Sequence, residues 1–263
     1  MDEIAADWIF EGGRVLTLDP RRPVAQALAV AGGRVVAVGG RAEVRRRRAR
    51  GTRVVDVRGA TIVPGLVDAH AHLAIANTRA LARAGVTRDT TAPKGVEIQR
   101  DGSDATPQQL ERIRRLGVMA TTNPISYLWR SGAAEAAKLG GAAERLLPHR
   151  SLARLRIPFG LATDNKPANL WRAFSAAVDR RDMASGEVLG AGERLTRAQA
   201  LTALTIGGAR LTCAERARGR LAPGYAADLA VLEHDPLTAP LEAVAEQRAR
   251  LTMVGGEVVW NDA

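Results

Sequence analysis

The sequence predicts an α/β protein in which an incomplete (β/α) barrel is inserted into a small β-sandwich built from both chain ends. Three observations indicate this. Both ends carry hairpin signals, the middle alternates strands with helices, and the middle is short for its type. We expect residues 1–60 plus 218–263 to form the composite β-sandwich and residues 61–217 the truncated barrel domain. A closed eight-stranded barrel needs about 200 to 250 residues, so some of its strands should be missing.

Two Gly-Gly pairs mark tight hairpins, because both central positions of such a turn need positive φ. They are Gly32-Gly33, between the apolar runs 27–31 and 34–38, and Gly255-Gly256, between 251–254 and 257–260. Further strands are expected at 14–18, 53–57 and 227–232. Neither end has enough strands for a stable sheet alone, so we expect the two ends to pair.

The middle region alternates apolar strands with capped helices. Helices are expected from Thr106 to Gly117, over 133–147 and 151–156, and from Thr196 towards Cys213; strands are expected at 61–68, 118–122 and 158–163. Thr106 and Thr196 are N-cap residues with glutamine three positions later. The polar stretch 85–105 has neither period. A structureless loop of about 20 residues is unusual in a compact domain, which predicts that barrel strands are lost or rearranged there.

Composition and motifs exclude several classes of function. The single cysteine, Cys213, cannot form an intrachain disulfide, which fits a reducing cytoplasm. We expect no signal peptide and no membrane partner, because no basic leader or long apolar run is visible. The motifs of serine hydrolases and phosphate loops are absent from the sequence.

A run of arginines, Arg45 to Arg50, contributes to the net charge of +10. It could bind phosphates, or it could be a solvated helix face. Because no aromatic residue interleaves with it to stack on bases, no nucleic-acid partner is expected.

The strongest chemical signal is Asp68-Ala69-His70-Ala71-His72 at the end of an apolar strand. Alternate residues of a strand share a face, so Asp68, His70 and His72 should project together. Sites in parallel α/β folds lie at the carboxyl ends of strands, and paired imidazoles suit a divalent metal such as zinc. The alternative is a pair of half-buried structural histidines.

Other candidate site residues follow strand ends or lie near them. Asp164 ends the strand at 158–163 and could ligate the metal and act as general base; the alternative is a cap of the next helix. His149 is a candidate extra ligand. Asn123, Tyr127 and Trp129 follow the strand at 118–122 and could line a substrate pocket, with loop packing as the alternative.

Several segments resemble motifs of one enzyme superfamily. Residues 64–72 resemble the first-strand motif of the amidohydrolase superfamily, residues 160–165 its eighth barrel strand, and residues 219–232 its C-terminal Gly-x-Leu-x-x-Gly-x-x-Ala-Asp-Leu motif. Residues 77–90 look like a segment that normally lies well downstream of the first strand, in a subgroup similar to N-substituted formamide deformylases. Residues 106–124 resemble the helix and strand late in the barrel.

The resemblance implies a TIM-like barrel and a metal-dependent hydrolase of non-peptide carbon–nitrogen bonds, of the amide or formamide type. It implies a small-molecule substrate, a divalent metal, expected to be zinc, and the ligands His70, His72 and Asp164. Asp164 would also be the catalytic residue. The displaced segments imply two internal losses, which remove the histidines of the fifth and sixth strands and the bridging lysine or acid.

Two alternatives to the enzyme stay open. The first is a catalytically inactive remnant or a non-catalytic interaction protein, for which self-association is expected because deletion exposes apolar strands. The second is nucleic-acid binding driven by the arginines.

Overall fold

The computed structural model describes residues 4–70, 105–164 and 167–262. His72, the segment 77–90 and nearly all of the polar stretch 85–105 lie outside the described residues. The described residues thus include His70 and Asp164 of the predicted site.

Strands from the two ends of the chain form one eight-stranded sheet. In chain order the strands are β1 (Trp8–Leu16), β2 (Val24–Ala31), β3 (Arg34–Gly39), β4 (Arg53–Asp56), β5 (Thr61–Pro64), β6 (Ala120–Thr122), β7 (Phe159–Leu161), β8 (Leu229–Leu232), β9 (Ala249–Val254) and β10 (Glu257–Asn261). The sheet order is β10-β9-β8-β5-β1-β2-β3, and β4 pairs with β1. The antiparallel pairing of β5 with β8 joins the two ends. The predicted pairing of the chain ends is therefore observed, while the domain boundaries themselves stay a prediction.

Both predicted hairpin turns are confirmed. Gly32 and Gly33 have φ of 53° and 73°, and Gly255 and Gly256 have φ of 57° and 85°. The two turns also touch each other, since a Cβ added at Gly256 would lie 2.6 Å from the Cα of Gly33. Glycine is thus needed there twice, for the left-handed backbone and for the close approach of one chain end to the other.

Two strands differ from the sequence prediction. β1 begins at Trp8 and ends at Leu16, whereas a strand was expected at 14–18. Gly12 and Gly13, which precede the expected strand, lie at a bulge with a register shift between Glu11 and Val15, and the strand continues through it.

β5 ends at Pro64, so the predicted single strand over 61–68 is wrong. The amide of Gly65 donates to Asp228 O, that of Val67 to Leu204 O and that of Ala69 to Leu161 O. These successive partners lie on different elements. Residues 65–70 therefore leave the large sheet and run to β7, which places His70 on a connecting segment.

The middle region combines a short parallel pair of strands, β6 and β7, with α-helices of four to ten residues. The α-helices of the described residues are α1 (Arg41–Arg45), α2 (Pro107–Leu116), α3 (Gly132–Leu139), α4 (His149–Arg154), α5 (Leu170–Asp179), α6 (Arg197–Thr202), α7 (Gly208–Leu211) and α8 (Leu241–Glu246). Ile125–Arg130 and Ala203–Gly207 are π-helical, and Gly140–Arg145 and Ala191–Glu193 are 3₁₀ turns. None of these helices is long and apolar enough to cross a membrane.

The two threonine caps are confirmed. The side chains of Thr106 and Thr196 each accept a hydrogen bond from the backbone N–H of the glutamine three residues later. α2 ends at Gly117, which has φ of 65°. The helix expected over 133–147 is interrupted, because Gly140 has φ of 52° and ends α3. The helix expected over 151–156 begins two residues earlier, at His149.

One hydrophobic core joins the large sheet to the middle region. It includes Val63 of β5, Leu161 of β7, Phe174 of α5, Leu204 of the π-helix and Leu232 of β8, all at most 1% exposed. β7 therefore shares one hydrophobic core with the helices and with the large sheet.

Candidate metal centre

The end of β7 and the segment 65–70 lie side by side. The amide of Ala69 donates to Leu161 O at 3.2 Å, and the amide of Asp164 donates to His70 O at 3.0 Å. These bonds bring His70 and Asp164 together although they are far apart in the sequence. The neighbourhood predicted from the two strand-end motifs is therefore observed for this pair.

The two side chains have the spacing expected of ligands that share one cation. His70 Nε2 lies 3.7 Å from Asp164 Oδ1, with the His70 side chain 50% exposed and that of Asp164 19% exposed. Two zinc ligands with bonds of about 2.1 Å at a tetrahedral angle are about 3.4 Å apart. Imidazole nitrogen and carboxylate oxygen are both ordinary zinc ligands, so the residues present fit a divalent metal.

The Asp68 carboxylate lies against the backbone of the two segments that carry His70 and Asp164. Its Oδ1 accepts the amide protons of His70 and Thr163, each at 3.1 Å, and its Oδ2 accepts the hydroxyl proton of Thr163 at 2.6 Å. The carboxylate thus links the segment before His70 to the segment before Asp164. The sequence did not single out Thr163, because this bond depends on a contact between distant segments.

His149 is fully buried beside β6 and β7. Its Nε2 lies 2.9 Å from Thr122 Oγ1, and its ring stacks on Phe159 with centroids 6.0 Å apart. Burial, with a smaller contribution from the Arg180 guanidinium, lowers its pKa from 6.5 to about 3. The imidazole is therefore neutral at physiological pH. Its proposed role as an extra metal ligand stays a prediction.

The stability of the protein should depend on pH through His149. In the unfolded chain His149 binds a proton below pH 6.5, whereas in the folded protein it stays neutral down to about pH 3. Stability is therefore lost as the pH falls from 6.5, by about 2 kcal/mol at pH 5. Urea unfolding of the wild type and of His149→Phe at pH 7 and pH 5 measures this. The difference between the two pH values should shrink by about 2 kcal/mol in the variant, and an unchanged difference would contradict the burial of a neutral imidazole.

The three candidate pocket residues make local contacts. Asn123 Oδ1 accepts the amide proton of Ser126 at the start of the π-helix Ile125–Arg130. Tyr127 packs against a small buried cluster around Leu128. The Arg172 guanidinium lies 4.6 Å from the Trp129 ring centroid. These contacts are capping, packing and cation–π contacts; the lining of a substrate pocket stays a prediction.

The described residues contain no group of three or more histidine, cysteine, aspartate or glutamate side chains arranged to hold a metal ion. His72, the third predicted ligand, lies outside the described residues. The observed part of the centre is thus the pair His70 and Asp164.

Comparison with known proteins shows which family the chain belongs to. The family model described as "Amidohydrolase family" matches residues 105–260, more than half of the chain. The chain belongs to the amidohydrolase family. Asp164 lies inside the matched range, and His70 lies before it.

One curated relative and two solved structures show how far the similarity extends. An N-substituted formamide deformylase from Arthrobacter pascens is 46% identical over 70 residues, which are 27% of this chain and 13% of that protein. An uncharacterized metal-dependent hydrolase from Pyrococcus furiosus has a TM-score of 0.66 at 12% identity, over 88% of this chain and 100% of that chain. An adenosine deaminase from Xanthomonas campestris with bound zinc has a TM-score of 0.59 at 15% identity, over 99% and 94% of the two chains. At these identities the solved structures support the fold of the amidohydrolase.

Proposed function

We propose that this amidohydrolase is a metal-dependent hydrolase of non-peptide carbon–nitrogen bonds. A divalent cation, zinc, would be held by His70, His72 and Asp164. The observation that carries the proposal is the 3.7 Å approach of His70 Nε2 to Asp164 Oδ1 at the end of β7. The substrate would be a small amide or formamide. The short match to an N-substituted formamide deformylase supports that class.

The chemistry follows from the position of Asp164. A divalent cation bound at this pair would bring the pKa of a water molecule towards 7. The Asp164 carboxylate, partly exposed beside His70, accepts a proton from the attacking water and returns it to the leaving nitrogen. The half-exposed imidazole of His70 marks the open side of the centre, from which a small substrate would approach.

The test is the metal content of the purified protein and of two variants. We expect about one zinc per chain in the wild type, and well below half of that in His70→Ala and in Asp164→Ala, because each change removes one of three ligands. His234→Ala is the control, since His234 lies in a turn between β8 and α8 and should keep the full metal content. A wild-type metal content that is low and insensitive to both changes would rule out the proposed centre.

Activity is tested separately on the metal-loaded protein. Release of formate from N-substituted formamides should be detectable, and Asp164→Asn should lower kcat by about 10² to 10⁴, the usual contribution of a general base. Equal rates in Asp164→Asn and the wild type would exclude Asp164 as the base.

A catalytically inactive amidohydrolase is the second candidate. It is favoured by the short middle region, in which the described residues contribute a two-stranded parallel sheet and no three-residue metal group. Full metal content without turnover of any amide would favour it. We also propose that the chain has lost barrel strands at two internal positions. Self-association and a cytoplasmic location are proposed as well.

A further inference from the structure

We propose that Asp68 is a positioning residue that fixes the distance between His70 and Asp164. The inference rests on the proposed function, because the distance matters only if His70 and Asp164 bind the same metal ion. It is carried by the three hydrogen bonds that the Asp68 carboxylate accepts from the two segments that bear the proposed ligands.

The carboxylate takes the place of a backbone carbonyl where the segment 65–70 runs alongside the end of β7. The bond from the Ala69 amide to Leu161 O starts a parallel ladder. In a regular ladder the Thr163 amide would donate to Ala69 O two residues further along. Here it donates to Asp68 Oδ1, and the Asp164 amide donates to His70 O. The pairing therefore advances by one residue on both segments, from Ala69 to His70 and from Thr163 to Asp164.

This shift determines where the Asp164 carboxylate points. Asp164 has φ of 52°, in the left-handed region that aspartate visits as a single residue. Thr163, which precedes it, is fully buried, and its hydroxyl donates to Asp68 Oδ2 at 2.6 Å. A hydrogen bond this short to a carboxylate is a strong one. Asp68 therefore anchors the residue before the turn that presents Asp164 to His70.

The same bonds argue against Asp68 as a metal ligand itself. A carboxylate has about four acceptor positions, and three of those of Asp68 are occupied by donors of His70 and Thr163. One acceptor position remains, on Oδ2, and the variants that follow test whether it binds the cation.

Four variants separate positioning from ligation. Asp68→Ala removes all three bonds, and Thr163→Val removes the hydroxyl alone. Asp68→Asn keeps an oxygen for the two amides and an NH₂ group that can donate to the Thr163 hydroxyl, and Thr163→Ser restores the hydroxyl. Asp56→Ala is the matched control, because Asp56 Oδ1 also accepts the amide two residues later, from Arg58, without a bond to a second segment.

Zinc affinity is measured by competition with a chromophoric chelator, and the geometry of the site by the visible absorption of the Co²⁺ form. We expect about 10- to 100-fold weaker binding in Asp68→Ala and about 10-fold in Thr163→Val, the usual effect of residues that orient metal ligands. Thr163→Ser, Asp68→Asn and Asp56→Ala should stay within about threefold of the wild type, a small effect beside that range. The Co²⁺ spectrum should change in Asp68→Ala and Thr163→Val.

Two outcomes of these measurements would overturn the inference. Loss of metal in Asp68→Asn as severe as in Asp68→Ala, with Thr163→Val unchanged, would make Asp68 a ligand. Wild-type affinity in both Asp68→Ala and Thr163→Val would make its bonds irrelevant to the centre. If Asp68→Ala does not fold, Thr163→Val and its serine counterpart carry the test.

Hydrogen exchange makes the test independent of the metal. The amides of Thr163 and Asp164 should exchange faster in the metal-free Asp68→Ala protein than in the metal-free wild type, and those of the large sheet should not. A wild type that binds no zinc would refute the proposed function alone. Unchanged exchange at residues 163 and 164 would refute the positioning role, whatever the metal content.

Discussion

Replacing Arg180 with methionine is expected to lower the free energy of unfolding by about 4 kcal/mol or more. The Arg180 side chain is completely buried. Its guanidinium donates to the carbonyls of Leu146, Leu147 and Leu189. Burial lowers its pKa to about 10, partly offset by Glu193 and Glu144, so it remains charged at neutral pH. Methionine fills the space but removes the donor to the buried carbonyls of Leu146 and Leu189, and each such group costs about 1–3 kcal/mol. Leu147 O loses one of two donors, because it also accepts the His149 amide proton.

Urea unfolding measures this change, and Arg156→Met is its matched control. Arg156 also has a left-handed backbone, with φ of 56° against 58° for Arg180, but its side chain is exposed. The backbone cost is thus the same in both arginines, and only Arg180 loses buried hydrogen bonds. We expect the control to stay within about 0.5 kcal/mol of the wild type. Equal stability of the two variants would mean that the carbonyls around Arg180 find other donors.

Arg180 connects the packing of the helices to the strands of the site. It ends α5, and its carbonyl partners belong to the loop before α4 and to the segment before the 3₁₀ turn Ala191–Glu193. His149, on which the guanidinium acts electrostatically, contacts both β6 and β7 through Thr122 and Phe159. Loss of Arg180 should therefore loosen the layer that supports β7 and Asp164.

The features that the sequence predicted correctly are those specified locally. The turns at Gly32-Gly33 and Gly255-Gly256 need only positive φ in two consecutive residues. The helices after Thr106 and Thr196 need only a cap and a glutamine within one turn. The ends of β7 and α2 were also located within one or two residues. Such signals act over a few residues, so tertiary contacts rarely override them.

The features that were missed depend on distant parts of the chain. The run from Thr61 has the composition of one strand, but its hydrogen bonds pass from β8 to the π-helix and then to β7. Nothing in the local pattern specifies that change of partners. The Asp68–Thr163 bonds and the burial of Arg180 are similarly invisible, because aspartate, threonine and arginine are more often exposed. His70 and Asp164 were expected to meet because strand ends of parallel sheets share one edge. They do approach each other, but through a connecting segment that reaches β7 after β5 has ended.

The second large effect is expected from Gly207→Ala, which should lower the free energy of unfolding by about 3 kcal/mol. Gly207 ends the π-helix that packs beneath β7. An added Cβ would lie 2.2 Å from Phe159 O and 3.2 Å from Phe159 C. Those atoms belong to the backbone of β7, so no side chain can move aside to make room. The φ of Gly207 is −59°, an ordinary helical value, and alanine would otherwise favour the helix by about 1 kcal/mol.

Gly141→Ala is the matched control for Gly207→Ala, because a Cβ at Gly141 meets no atom within 4 Å. It should leave stability unchanged or slightly raised, as judged by the urea midpoint. If Gly207→Ala is as stable as this control, the helix and β7 must be able to separate without cost.

The consequence of Gly207→Ala should also reach the metal centre. Gly208, the next residue, lies against Val67, where a Cβ would be 2.6 Å from the Val67 carbonyl oxygen, and Gly160 of β7 lies against Ala69. The helix therefore holds β7 and the segment 67–69 in contact at once. These are the two segments that bring Asp164 to His70. Displacing the helix should weaken zinc binding by about 10-fold, the effect seen when supports of ligands are lost. Unchanged zinc affinity in a destabilised Gly207→Ala protein would show that the Asp68 bonds alone keep the two ligands together.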